Sequence, residues 1–375
     1  MSDRLSARSI WLAAWVPVAV LALAAPLSLE GFWLQTGLFA MAAAIGAIGL
    51  TLLVGATGQL SLGHAFFVAL GAYGYAFLAG PRDGDVAGVG LPAPLALVGA
   101  VALAGAAGAM FSPIAGRLRG IYLGLASLGL VFLGQHILHN AASATGGFNG
   151  RDVAPFKVFG FSFTATDPEL VILHVPYGGL ERLWYLGLLL VVLAYWYARN
   201  LLRGRPGRAL VGVRDSEVAA AVMGVDVRRY KAAAFTVSSG YAGLAGVLLA
   251  LAFGRIVPDT FGFVMSIDFL AMIIIGGLGS IAGSVAGAVI VTTLPLVLSH
   301  YSDALPFLAQ PGESGVGAAE AARLLYGAAV IAVLLFAPGG LAQLLRPSRP
   351  SSANQGTWTF DRRRSSPRDQ QGASP

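Results

Sequence analysis

Runs of about 20 apolar residues recur from residue 10 to residue 337, each long enough to cross a ~30 Å hydrocarbon layer as a helix. A chain built this way must satisfy its backbone polar groups internally, which leaves helices or a closed barrel. Barrel strands alternate polar and apolar side chains over roughly 10 residues, and these runs do not alternate. Only 11% of residues are charged and 56% are hydrophobic, whereas soluble domains carry about 25% charged residues. The expected fold is an all-α polytopic membrane protein. Ten spans are predicted, at 10–29, 32–54, 62–80, 92–115, 120–140, 183–202, 231–253, 268–281, 282–300 and 321–337. Arg4 and Arg8 ahead of the first run have the look of a secretory signal, but the run is long for one. A retained first span is the expectation.

Charge supplies the orientation. With the N-terminus inside, the inner segments hold Arg4, Arg8, Arg117, Arg119, eight residues between Arg199 and Lys231, and Arg346, Arg349, Arg362, Arg363, Arg364 and Arg368. Those are 18 of the 24 basic residues; outside stand Arg82, Arg151, Lys157, Arg182, Arg255 and Arg323. The positive-inside rule then predicts both termini and the central segment to be cytoplasmic. The net charge of +6 is read as this asymmetry rather than as nucleic-acid binding.

The segment 199–231 is the one long polar stretch flanked on both sides by strongly apolar sequence. Within it Asp215 or Ser216 can cap a short helix with Glu217 in its first turn, and Gly224 can end that helix in a left-handed conformation. Val218 and Val222 lie four apart and share a face, while Ala219, Ala220 and Ala221 keep the helix slim. A short helix of small residues between two membrane halves predicts a docking piece, by which another protein moves this one.

Two stretches break ordinary span behaviour. Residues 55–64 set Gln59, Ser61 and His64 among glycines at membrane depth; lining the pathway and fixing the local backbone are both open to them. Residues 268–300 are one apolar run, too long for one span at about 50 Å. Gly276, Gly277 and Gly279 mark where it would turn, next to Ser280. Broken or re-entrant helices are expected near 55–64 and 276–282, tolerated only where buried in protein or lining a cavity. Both breaks contain a Gly-x-x-Ser unit, Gly58 to Ser61 and Gly277 to Ser280, which suggests an internal repeat. Gly279, Gly283 and Gly287, and likewise Gly116, Gly120 and Gly124, are spaced for close helix approach.

The loop 141–182 has no evident regular structure and holds Thr145, Gly146, Gly147 and Asn149; loops of that length are often binding surfaces. The membrane domain is placed at 1–345, with its cytoplasmic coupling segment at 203–231. A disordered basic tail is expected from 346 to 375.

Catalytic signatures are missing. The chain has no Cys, no P-loop and only two lysines, Lys157 and Lys231, so ATP hydrolysis by the P-loop route is excluded. His136 and His139 have a metal-compatible spacing without a nearby carboxylate, and no metal is expected. Every Asp and Glu falls in a loop or at a span end, with Glu30, Glu181 and Asp268 nearest the membrane. A gradient-driven carrier commonly buries an ionisable group at mid-depth. An energy source outside the chain fits better.

The run Glu217-Val-Ala219-Ala220-Ala221-Val-Met-Gly224 resembles the E-A-A-x-x-x-G coupling motif of ATP-binding-cassette importer permeases, with Val218 in place of Ala. Its extension from Gly207 to Phe235 is similar to branched-chain amino acid permease subunits of the LivM type. So are G-Q-L-S-L-G-H-A-F-F at 58–67, A-T-G-G-F-N-G at 144–150 and I-I-G-G-L-G-S-I-A-G at 274–283. This resemblance implies a pore subunit in the bacterial inner membrane, working with a second permease, two cytoplasmic ATPase subunits and an extracytoplasmic solute-binding protein. It assigns ATPase coupling to Arg214, Glu217, Ala219, Ala220 and Gly224. It makes Gln59, Ser61, His64, Gly277, Gly279 and Ser280 candidates for the pathway or its re-entrant backbone. Thr145, Gly146, Gly147 and Asn149 would face the binding protein. No cofactor is expected in this chain, ATP and Mg being bound by the partners. The implied cargo is a branched-chain or related hydrophobic amino acid; relatives carry other amino acids, amides or urea.

Overall fold

The computed structural model describes residues 20–81, 86–118, 120–164, 170–172, 175–301, 317–336 and 339–344. Residues 10–19 of the first expected span and the basic tail from Arg346 lie outside these. Residues 20–28 are helical. Then follow α1 (Gly31–Leu50, extended by a π-helical turn Thr51–Gly55), α2 (His64–Ala79), α3 (Ala93–Arg117) and α4 (Ile121–Asn140). Next come α5 (Gly179–Arg203), α6 (Arg205–Asp215), α7 (Glu217–Val222) and α8 (Val227–Phe253). The series ends with α9 (Phe263–Gly276), α10 (Ile281–His300) and α11 (Ala318–Phe336). Among the described residues, six helices are long and apolar enough to cross a membrane: α1 with its π turn, α3, α4, α5, α8 and α10; α2 and α9 are apolar but shorter.

Helix α8 organises the bundle, packing on α3, α2 and α1. Its apolar window is 72% buried and that of α1 78%, against 33% for α3, α4 and α10 and 22% for α5. The outer helices turn large apolar side chains such as Leu95, Val98, Met110, Leu125, Phe132, Val192 and Trp196 outward. With lipid outside as apolar as the interior, association depends on close packing rather than on apolar burial. The glycines show where that happens. A Cβ on Gly246 would run into the Val68 carbonyl of α2, and one on Gly71 into the backbone of Gly243. A Cβ on Gly108 of α3 would meet the Ser239 hydroxyl of α8.

Of the two glycine stripes expected from spacing, only part survives. Gly283 and Gly287 press on the backbone of Gly276 and Met272, closing the α9–α10 pair, whereas Gly279 lies in the turn between them. Among the described residues Gly116 and Gly120 meet nothing within 4 Å, and Gly124 touches the side chains of Leu60 and Leu62. The four-residue spacing there runs across a break, because Gly120 adopts φ 55° ahead of α4. No continuous helix carries that stripe.

The loop 141–182 is also more regular than expected. It contains a helical turn Ala142–Thr145, a 3-10 turn Gly147–Asn149, and the two-stranded pairings Lys157–Val158 with Phe161–Ser162 and Leu170–Ile172 with Val175–Tyr177. Arg151–Asp152 pairs antiparallel with Arg255–Ile256 at the end of α8. These elements are too short to show periodicity in sequence. A third correction concerns Asp268. Helix α9 begins at Phe263, five residues before the expected span, so Asp268 is a helical residue and not a span end; its carboxylate accepts a hydrogen bond from Tyr326 of α11 at 2.6 Å.

Candidate functional site

The polar segment folds as two helices, not one. Pro206 occupies the first turn of α6, where its missing N–H costs nothing, and Gly207, Leu210 and Val213 are buried along one side. Gly207 sits so tightly on the Leu202 backbone that no Cβ fits. The spacing of Leu210 and Val213 carried this signal, but the density of Arg around them obscured it.

Helix α7 is stopped at both ends by its own residues. Of the two cap candidates Ser216 is the one used: its hydroxyl accepts the N–H of Ala219 at 3.2 Å. At the other end Gly224 has φ 83°; its N–H bonds to Ala221 O at 3.0 Å, and that of Val225 to Ala220 O at 3.0 Å. Those two bonds are the Schellman pattern, which requires the left-handed residue between them. Between its ends the helix is two-sided. Ala220 is buried at 6% exposure, while Val218, Val222 and Met223 are 77%, 82% and 83% exposed.

Glu217 faces inward. Its carboxylate receives Lys231 Nζ from the second turn of α8, and the Lys231 side chain retains only 6% of its exposure. A lysine so enclosed needs a partner, since an unpaired buried charge is strongly unfavourable. The acidic residue of the motif therefore anchors α7 to the bundle. The outward surface is the apolar one.

Arg214, one turn earlier, reaches the first break: its Nη1 donates to Gly55 O at 2.9 Å, while Nε bonds to Asp215 at 3.1 Å. Gly55 is in turn packed on the second break, where a Cβ on it would stand 2.7 Å from Gly279 N. The helix α6 end, the π turn and the Gly277–Ser280 turn thus meet at one place. Gly277 and Gly279 take φ 108° and 86°, and the Ser280 hydroxyl caps α10 by accepting Gly283 N–H at 3.1 Å. Gly277 also lies against the backbone of Gly339 and Gly340.

Gln59, Ser61 and His64 are all buried, at 4%, 2% and 2% exposure. Each bonds to backbone. His64 Nε2 lies 2.9 Å from Gly46 O, Ser61 Oγ accepts Gly63 N–H at 3.3 Å, and Gln59 Nε2 reaches Lys231 O at 3.5 Å. The His64 ring also stands edge-on to Phe269 of α9, 4.8 Å between centroids. So this stretch connects α1, α8 and α9, and the polar segment touches it twice, through Arg214 and Lys231.

At the other end of α8, the Thr145–Asn149 turn is held from within. Thr145 Oγ1 donates to Leu138 O at 2.6 Å, and Gly146 and Gly147 both take positive φ. Asn149 O accepts from Arg255 Nη2 at 2.8 Å, and buried Arg151 donates to Ala87 O and Ala144 O at 2.6 and 2.7 Å. Phe148 is left 79% exposed. His139 bonds to Gln135 O and to Asp259, at 2.8 and 3.2 Å; among the described residues no group of three or more His, Cys, Asp and Glu could hold a metal ion.

Buried central helices, a lipid-compatible outer surface and one polar helical projection define a multi-pass helical membrane protein. The family described as "Branched-chain amino acid transport system / permease component" matches residues 33–334. The chain is 30% identical over 342 residues to the high-affinity branched-chain amino acid transport system permease protein LivM of Escherichia coli (strain K12), covering 88% of this chain and 75% of that protein. It is 31% identical over 318 residues to LivM of Salmonella typhimurium, covering 82% and 69%. To the permease protein LivH of Escherichia coli (strain K12) it is 26% identical over 271 residues, covering 68% and 81%. No solved structure matches. The chain belongs to the branched-chain amino acid transport-system permease family, as a permease subunit of LivM type in an ATP-binding-cassette importer.

Proposed function

We propose that this subunit forms, with a second permease resembling LivH, the translocation pathway for branched-chain or related hydrophobic amino acids in a bacterial inner membrane. Ten spans, both termini in the cytoplasm, are the topology that fits the distribution of Arg and Lys. Two cytoplasmic ATPase subunits bind ATP and Mg and grip α7; an extracytoplasmic solute-binding protein delivers cargo to the opposite face, where the Thr145–Asn149 turn lies. The observation that carries this reading is the asymmetry of α7. One side is tied down by Ser216, the Glu217–Lys231 pair and the Gly224 stop, and the other offers Val218, Val222 and Met223 to a partner. A force applied to that apolar side passes through Arg214 to the junction of the two helix breaks. Differential contact with two ATPase states is what shifts the pathway between outward and inward access.

The relatives' names support the cargo, and the packing supports the coupling. The test is transport by the assembled complex in liposomes. Leucine uptake should require ATP and both ATPase subunits. Uptake that persists without the ATPases and follows a proton gradient would replace this reading with a gradient-driven carrier, in which Asp268 would be the coupling group.

A further inference from the structure

A cavity of about 530 Å³ opens between α1, α2, α8, α9 and α10, bounded on one side by Arg323 of α11. Its size falls within the range of about 300–1,000 Å³ for small-molecule sites. It sits at the end of the bundle away from α7: Phe253 at the C-terminus of α8 and Asp259, Thr260 and Gly262 beyond it form the rim, whereas α7 precedes the N-terminus of α8. Most of the wall is apolar, with Phe39, Val68, Leu249, Met265, Met272 and Leu296 contributing side chains.

The charged groups lining it are two carboxylates, Asp259 at the rim and Asp268, and one guanidinium, Arg323. Asp268 lines the cavity from α9, held by the Tyr326 hydroxyl at 2.6 Å. Arg323 lines it too, one turn before Tyr326 on α11 and close enough to Asp268 for their charges to interact. The Thr292 hydroxyl, also on the wall, is buried and has no hydrogen-bond partner among the described residues. Threonine in a helix ordinarily satisfies its hydroxyl on the preceding turn, and Thr292 does not. Pro295, three residues on, has no N–H to give the Val291 carbonyl, which leaves a backbone acceptor without its helical partner on the same stretch of wall.

We propose that this cavity is a way-station for a single amino-acid zwitterion. Asp268 takes the α-ammonium, Arg323 the α-carboxylate, and the wall of Phe39, Met265 and Met272 the aliphatic side chain. The proposal rests on the reading of the chain as an amino-acid permease and adds where, and by which groups, this subunit holds its cargo. A carboxylate and a guanidinium on the wall of a largely apolar chamber match the three parts of leucine, isoleucine or valine. Neutral urea and short amides lack both charges and would leave the pair unused. Phe269 extends the site inward: it lines the cavity and packs against His64, the residue that starts α2 beside the first helix break.

The test uses the assembled transporter in liposomes with its solute-binding protein. Asp268→Asn and Arg323→Gln should each lower leucine uptake at least tenfold at subsaturating leucine, while the ATPase subunits still co-purify. Wild-type uptake rates in both variants would overturn the assignment without touching the function proposed above; loss of ATP-driven leucine uptake in the unmutated complex would overturn that function instead. Because Asp268→Asn could disturb the α9–α11 contact, a second measurement uses the native sequence. Photo-leucine, the diazirine analogue of leucine, is illuminated with the complex during turnover and the adducts are mapped by mass spectrometry. Adducts on Phe39, Met265, Phe269 or Met272, competed by leucine and not by urea, are expected. Labelling that avoids these residues, or that leucine does not compete, would refute the site.

Discussion

Replacing Glu217 by Ala removes the carboxylate that faces an almost fully enclosed ammonium. The Lys231 side chain keeps 6% of its exposure and that of Glu217 31%. Breaking a fully buried pair by deleting one partner costs about 3–5 kcal/mol, most of it from the stranded charge. Here water already reaches part of Glu217, and Lys231 can swing toward the space the side chain vacates. The expected cost therefore falls below that range, at about 2–3 kcal/mol. That corresponds to roughly a 30- to 150-fold rise in the population of the detached helix, at 1.4 kcal/mol per decade. Hydrogen exchange of the full-length subunit in nanodiscs reads this directly. The amides of Ala219, Val222 and Met223 should lose protection by that factor, while those in the middle of α8 hold theirs. Lys231→Met should have a smaller effect, because the Glu217 left behind is partly solvated. The double variant should recover most of the protection, since no stranded ammonium remains. Exchange in Glu217→Ala within twofold of the parent, or a double variant as labile as the single, would refute the anchoring role.

Three further results follow from the same geometry. Gly224 has open space around it but φ 83°, so Gly224→Asn should retain coupling, Gly224→Ala should cost about 1 kcal/mol and Gly224→Val more; ATP hydrolysed per leucine imported measures this, and a ratio in the Val variant equal to the parent's would count against a docking role for the helix stop. Gly246→Leu should abolish assembly of the bundle, because the added side chain must displace the α2 backbone at Val68; recovery of monodisperse protein by size-exclusion chromatography is the check. Gly116→Ala, with nothing within 4 Å among the described residues, should leave folding intact and raise thermal stability slightly, by about 0.5–1 kcal/mol; a lower melting temperature would show a contact there.

The positions of most helices were legible in the chain because the bilayer imposes a rule any sequence must display, a sustained apolar run with its polar groups bonded internally. The bounds of α1 to α5, α8 and α10 lie within a few residues of the predicted spans. Local chemistry was equally readable: the Ser216 cap, the left-handed Gly224 and the turn at Gly277 and Gly279 depend on neighbours in sequence alone. The hairpins of the 141–182 loop were not, being only two or three residues per strand.

What the sequence alone determined, then, was the class of molecule, its helical segments and the short helix that interrupts them, all consequences of solvent and of residues within a turn of one another. Which surfaces meet was decided only by the tertiary structure. Glu217 turns inward because α8 brings Lys231 beneath it, fourteen residues on. Gly71, Gly243 and Gly246 mark the tight crossing, and Gly116 does not, because only the first three face a backbone across the contact. Asp268 and Arg323, 55 residues apart, become one site only when α9 and α11 lie side by side around the cavity. Pair energies of this kind depend on distance in space, and a linear pattern carries no record of it.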